Sequence, residues 1–210
     1  MAIVNSVSGL REQKKARTRQ HITDTATLLF RERGFDEVTV AEVAREAGVS
    51  TMTVFNHFPR KEDLLLDRIP ETVDLVTRAV EERAEGETPL AALRRLMLEL
   101  VDQRHPLGAI GDTFVWLWRV VLGSAALRAR AREGVEEVEA ALAGALDRAG
   151  EPRARLTAAL VVAGCRVAYV ESAGRQLAGE RADDVVADHR AAVGELFDVL
   201  QGVHDRAAGD

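Results

Sequence analysis

Only one cysteine, Cys165, occurs in the 210 residues. An intramolecular disulfide is excluded, and the chain suits a reducing compartment. The five histidines show no ligand spacing with that cysteine, so no metal and no other cofactor is implied. Proline is scarce, at 5 residues, and no run of alternating β-branched residues marks a strand. The longest uncharged stretches, such as Leu156 to Cys165, are too short to span a bilayer. No apolar segment with a cleavage site stands near the N-terminus. These absences lead us to expect an all-α, soluble, cytoplasmic protein with no membrane partner.

The usual marks of an enzyme are missing too. There is no Gly-rich phosphate loop, no H-E-x-x-H, no G-x-S-x-G and no Cys/His cluster, so no catalytic residue is assigned. Acidic neighbours such as Glu136-Glu137 and Asp183-Asp184 are adjacent in sequence, and on helices they point in different directions.

What is present favours helix. Ala, Leu, Val, Arg and Glu dominate, and 47% of residues are apolar, enough for a core. The net charge is −6, but it is unevenly spread. Residues 1–61 hold 10 Lys/Arg against 7 Asp/Glu, and the remainder hold 18 against 27, so +3 and −9 sum to −6. All three lysines (Lys14, Lys15 and Lys61) fall in the first part, and Arg11, Lys14, Lys15, Arg17 and Arg19 meet only Glu12 nearby. A nucleic-acid-facing end and a solubilising end would give this asymmetry. So would a solvated helix start, until a second feature joins the basic run.

The periodicity predicts a loose arm over residues 1–8, then a helix from near Arg11 to Arg33 with Ile22, Ala26, Leu29 and Phe30 on one face. Gly34 stops it. Thr39-Val40-Ala41-Glu42 has the form of a capping box and opens a second helix. Gly48 permits a sharp turn, and Ser50 caps a third helix from Thr51 to about Phe58, before Pro59. Longer helices are expected from Glu62 to Glu85, Pro89 to Arg104, Ser124 to Arg148, Pro152 to Leu177 and Asp183 to His204. A loop covers His105 to Gly111, and Phe114 to Leu122, apolar almost all round, should be buried.

The third helix carries the functional signal. On a helical wheel Val54 and Phe58 point one way, with Phe55 at the edge, while Met52, Thr53, Asn56 and His57 point the other. Val54 and Phe58 must be buried against the two preceding helices, so the polar face is exposed. Asn pairs bidentately with adenine, Thr reaches a base or a phosphate, and Met packs on a thymine methyl. Two short helices joined by a Gly-containing turn form a helix-turn-helix, whose second helix fits a major groove. The basic first helix then has its partner feature, with Lys14 and Arg17 placed to reach phosphates.

The runs Gly34-Phe35-Asp36, Thr39 to Ala44, Ala47 to Ser50, Phe55-x-His57-Phe58 and Lys61-Glu62-x-Leu64-Leu65 resemble the TetR (tetracycline-repressor) family of bacterial regulators. In motif the resemblance covers about residues 15–66. It implies a three-helix DNA-binding domain over 1–61 and a helical ligand-binding and dimerisation domain over 62–210. By position it makes Thr51, Met52 and Asn56 base readers, and Thr39, Thr53, His57 and Lys61 phosphate contacts. Phe55 stands where the family most often has tyrosine, which removes a hydroxyl. The partners implied are a double-stranded DNA operator, a small-molecule inducer, and a second copy held through the last two helices. The resemblance implies a repressor; an activator or ligand-independent regulator of the same fold, and a helical protein-interaction module, are the alternatives.

In the second part Met97, Phe114, Trp116, Trp118, Val162, Cys165 and Tyr169 are candidates to line an apolar ligand pocket, with plain core packing as the competing role. Arg166 shares a wheel face with Ala159, Val162, Ala163, Tyr169, Val170 and Ala173, and finds no acid at i±3 or i±4. If that face is buried, the guanidinium needs either a carboxylate from elsewhere or a group on the inducer. The stripe Val186, Val193, Leu196, Phe197 and Leu200 is expected to form the dimer surface.

Overall fold

The computed structural model describes residues 2–108, 110–112 and 114–208, with side chains among residues 11–203 of these. Helices, and no strand, occur among the described residues. The chain divides into two compact units. One holds the residues up to Asp67 together with Ser124–Arg130; the other holds Arg68–Gly123 and the residues from Ala131 on.

In the first unit α1 (Ala2–Arg33) buries Ile22, Ala26 and Phe30. The helix includes the residues expected to be a loose arm, apart from residue 1, which lies outside the described residues. No proline interrupts that segment, so the hydrogen-bond ladder can continue. Gly34 ends α1 at φ 88°, where its N–H donates to the Phe30 carbonyl at 3.0 Å. The helices α2 (Val40–Glu46) and α3 (Thr51–His57) follow, joined through Gly48 at φ 65°. Val38, Val43, Val54, Phe58 and Leu64 complete the core, and the Phe30 and Phe35 rings meet at 5.0 Å.

The boundary expected after Lys61 lies further on. A 3-10 turn, Glu62–Leu64, buries Leu64 with the first unit, and the unit continues to Asp67. The single helix expected from Glu62 to Glu85 is therefore broken, and α4 spans Ile69–Glu81. Pro70 explains the break: it has no N–H to give and its ring opposes the carbonyl four residues earlier, so it fits only the first helical turn. Ser124–Arg130 also join the first unit. There the Ser124 hydroxyl donates to Asp36 Oδ1 at 3.4 Å, and Arg130 Nε meets Asp63 Oδ1 at 2.7 Å with both side chains largely buried.

The second unit is built from α4, α5 (Pro89–Asp102), α6 (Phe114–Gly123), most of α7 (Ala125–Arg148), α8 (Ala154–Leu177) and α9 (Ala182–Ala208). A 3-10 turn, Pro106–Gly108, lies in the expected loop. The pairs Arg94–Asp198 and Arg190–Asp102 run α5 antiparallel to α9. Leu196 sits so close to Gly164 that a Cβ there would overlap it, which brings α8 and α9 together. Leu93, Leu142, Leu146, Ala158, Cys165, Val193 and Phe197 fill the core.

Two burial expectations are corrected. The apolar α6 is mostly half-buried, with only Val121 buried and Leu122 exposed, because apolar character all round does not supply neighbours all round. In the stripe expected at a dimer surface, Val193, Phe197 and Leu200 are buried within their own chain. The outward apolar residues are instead Leu156, Leu160, Val167 and Val170 on α8 and Val199 and Val203 on α9. By length and composition α8 could cross a membrane, yet one face of it packs in this core.

Phe197 is 2% exposed. Phe197→Ala should therefore lower the unfolding free energy of the second unit by about 3–5 kcal/mol, the cost of a lost core aromatic and the cavity it leaves. Urea denaturation followed by circular dichroism measures it. A shift near zero would return Phe197 to an intersubunit role.

Candidate nucleic-acid interface

A seven-residue helix is unstable alone, so α3 must be held at both ends and along one side. At its start the Ser50 hydroxyl oxygen accepts the Thr53 N–H at 3.0 Å and lies 2.8 Å from the Thr53 hydroxyl. Along its inner side Val54 and Phe58 are buried. At its end Arg19, from α1, donates to the His57 carbonyl at 2.6 Å and to the Asp67 carbonyl at 3.1 Å. Its guanidinium also lies 4.2 Å from the Phe58 ring centroid. A cation bonded to a final carbonyl complements the negative end of the helix dipole.

The outer side of α3 is open. Thr51, Met52, Phe55 and Asn56 are exposed, Met52 by 70% and Phe55 by 45%. Phe55 is thus further out than its place at the edge of the buried face suggests. Lys14, Lys15 and Arg17 are exposed on α1 and have no ion-pair partner among the described residues.

The remaining residues of the expected DNA set are engaged within the protein. Thr39 donates its hydroxyl to Glu42 Oε2 at 2.8 Å, and the Glu42 N–H returns a bond to the hydroxyl oxygen at 3.2 Å. Lys61 lies 4.3 Å from the Phe35 ring centroid and donates to the Asp36 carbonyl at 3.4 Å. Thr53 and His57 are half-buried. Burial, followed by the positive charges of Arg19 and Lys15, holds the His57 imidazole below its ordinary pKa. It is therefore neutral near pH 7.

The clamp made by Arg19 was not singled out in the sequence, although a signal existed. Arg19 lies three, seven and eleven residues before Ile22, Ala26 and Phe30, on the core side of α1, whereas Lys14 and Arg17 do not; Lys15 shares that side one turn earlier and is exposed.

In the second unit Met97, Val162, Cys165 and Tyr169 gather on one core, while Phe114, Trp116 and Trp118 are half-buried on α6. Arg166 is exposed, which corrects its expected burial. The inner face of α8 is Ala158, Val161, Cys165, Ala168 and Ser172; the face with Ala163 and Val170 points outward. A helix apolar on both faces gives a wheel no sign of which one is inside. A surface groove of about 820 Å³ lies between α7 and α8, with Ala140, Ala143, Gly144 and Ala159 on its walls and none of the expected ligand residues.

A pinned second helix with an open polar and apolar face, beside a helix whose Lys14, Lys15 and Arg17 are exposed, defines a helix-turn-helix unit of the DNA-binding kind. Residues 22–67 match the family described as bacterial regulatory proteins, tetR family. The transcriptional regulator TcmR of Streptomyces glaucescens is 33% identical over 138 residues, which are 64% of this chain and 61% of TcmR. The chain thus spans under two thirds of that relative's length. A TetR-family regulator structure from Mesorhizobium loti covers 88% of this chain and 97% of its own at 21% identity, with a TM-score of 0.54. A complex of SmeT with triclosan covers 87% and 91% at 17% identity, with a TM-score of 0.59. Residues 22–67 thus carry the TetR-family domain.

The α2 cap is pH-sensitive in a defined direction. The Arg33 side chain, then the Thr39 backbone and hydroxyl, hold Glu42 at a pKa of about 2, against an ordinary value of 4.5. A depressed carboxylate stabilises the fold fully above its unfolded value, and that stabilisation is lost as pH falls from about 4.5 towards 2. Carboxyl-carbon NMR should find the Glu42 midpoint near 2, and Arg33→Met should raise it. An unchanged midpoint in the variant would show that Arg33 is not the main cause.

Proposed function

We propose that the chain is a sequence-specific transcriptional repressor that binds a near-palindromic DNA operator as a homodimer and is released by a small molecule. The observation that carries this is the open set Thr51, Met52, Phe55 and Asn56 on a helix fixed at both ends. In this reading Asn56 and Met52 contact base edges, and Phe55 offers its ring to a thymine methyl or a sugar. Lys14, Lys15 and Arg17 meet the phosphates. Arg19 and Lys61 are occupied inside the protein and serve the geometry instead.

A second copy is supported by the outward apolar faces of α8 and α9. Val199 is 64% exposed and Val170 57%, with Leu156, Leu160, Val167 and Val203 beside them. Large apolar side chains clustered on two adjacent helices fit burial against a copy of themselves, which a two-fold axis allows. Two reading helices at fixed separation then match two half-sites one helical turn apart. A ligand that favours a state with another separation lowers DNA affinity by the ratio of its affinities for the two states. Such a protein works in the cytoplasm, beside the chromosome.

Binding to fragments of the source genome should fall steeply with salt, because phosphate contacts release counterions. Neutralising Lys14 or Arg17 should flatten that dependence by about one unit per contact, for operator and random DNA alike. Asn56→Ala should cost about 1–3 kcal/mol at the operator and relax preference at one base pair per half-site. Salt-insensitive association would favour a protein-interaction module. Val170→Glu combined with Val199→Glu should give folded monomers by light scattering, with unchanged circular dichroism and lost operator binding. A dimeric variant would place the interface elsewhere.

A further inference from the structure

Thr51 to His57, the whole of α3, contains no arginine, no lysine and no glutamine. The commonest specific contact to DNA, an Arg or Lys bidentate on guanine, therefore has no donor on this helix. The cations around it do not supply one. Arg19 gives its guanidinium to the His57 and Asp67 carbonyls and lies over the Phe58 ring. Lys61 lies on the Phe35 ring and donates to the Asp36 carbonyl. The exposed Arg45 and Arg60 lie off the helix, on α2 and beyond Pro59.

What the open face does offer is largely apolar. Met52 is 70% exposed and Phe55 45%. Apolar side chains scattered singly over a surface carry no message. These two are three residues apart on one helix, and Asn56 is four from Met52, so the three form one continuous patch. The Thr53 hydroxyl is held by that of Ser50 at 2.8 Å, which leaves Thr51 and Asn56 as the exposed polar members of the face.

In a major groove one feature of the base edges is apolar, the C5-methyl of thymine. The other edge groups donate or accept hydrogen bonds, and a thioether and a phenyl ring are poor partners for them. Pressed against such a group, Met52 or Phe55 would strip its water and return no bond. Against a thymine methyl, the same side chains remove apolar surface from water on both partners. Asn56, in the same patch, pairs with adenine, and thymine carries its methyl on the other side of that base pair.

We infer that α3 reads A·T pairs, with Met52 and Phe55 packed on thymine methyls while Asn56 holds an adenine edge. This rests on the proposal above that α3 enters the major groove of an operator, and it names the base pairs and the chemical group read there. Recognition then discriminates against uracil, which pairs as thymine does but lacks the methyl.

The test uses the whole chain and fragments of the source genome, amplified in parallel with thymidine or with deoxyuridine triphosphate. Sequence and pairing are kept, and only the methyl groups go. Fragments bound selectively in the thymine form should bind more weakly in the uracil form. Short duplexes spanning the bound sequence then carry uracil at one position at a time. Affinity should fall about fourfold at each contacted methyl, the factor that one buried carbon is worth. Uracil elsewhere in the duplex should change nothing. Met52→Ala, at a site too exposed to disturb the core, should lower affinity for the thymine duplex and stop distinguishing thymine from uracil at one of those positions at least. Circular dichroism should be unchanged. Equal binding of the thymine and uracil forms at every position would overturn the inference, and so would a Met52→Ala chain that keeps the full discrimination of the parent. Failure of the thymine fragments themselves to bind selectively would instead overturn the operator-binding reading, and this inference with it.

Discussion

Val54 and Phe58 go into the core of the first unit, and this burial sets what every other residue of α3 can do. Seven residues make too few helical hydrogen bonds to hold a helix in water. Burying two large apolar side chains contributes about 1.5–3 kcal/mol each and fixes the rotation of the helix about its axis. That rotation turns Thr51, Met52, Phe55 and Asn56 outward together. The Ser50 cap and the Arg19 clamp then fix the two ends, so the exposed face is presented in one orientation. Preorganisation of this kind spares a binding partner the cost of ordering the helix.

The charge distribution serves the same end. A chain of net charge −6 repels a polyanion overall, and the acidic excess lies after residue 61. Within α1 the cations divide by role. Arg19 faces the core and is spent on carbonyls and the Phe58 ring, while Lys14, Lys15 and Arg17 remain free at the surface. A count of positive residues alone would treat these as equivalent.

How far the sequence was legible depended on the range of the interaction. The Thr39–Glu42 box, the Ser50 cap and the glycine turns at Gly34 and Gly48 are set by neighbours within four residues, and all appear as expected. The inward and outward faces of α3 were legible because apolar and polar residues separate cleanly around it. Elsewhere the pattern was degenerate. The helices α8 and α9 are apolar on more than one side, so periodicity could not tell the face of Phe197 and Val193, buried within the chain, from the face of Val199 and Val203. Arg166 was misplaced for the same reason. The pairing of Arg130 with Asp63 joins residues 67 apart in sequence and leaves no local mark.

The central claim is that α3 reads base sequence in two symmetric copies. Selection of bound duplexes from a randomised pool tests it most directly. The account predicts enrichment of an inverted repeat, with half-sites about ten base pairs apart from centre to centre, as successive major grooves on one face of the duplex require. Recovery of no preferred sequence, or of a single site without two-fold symmetry, would contradict it.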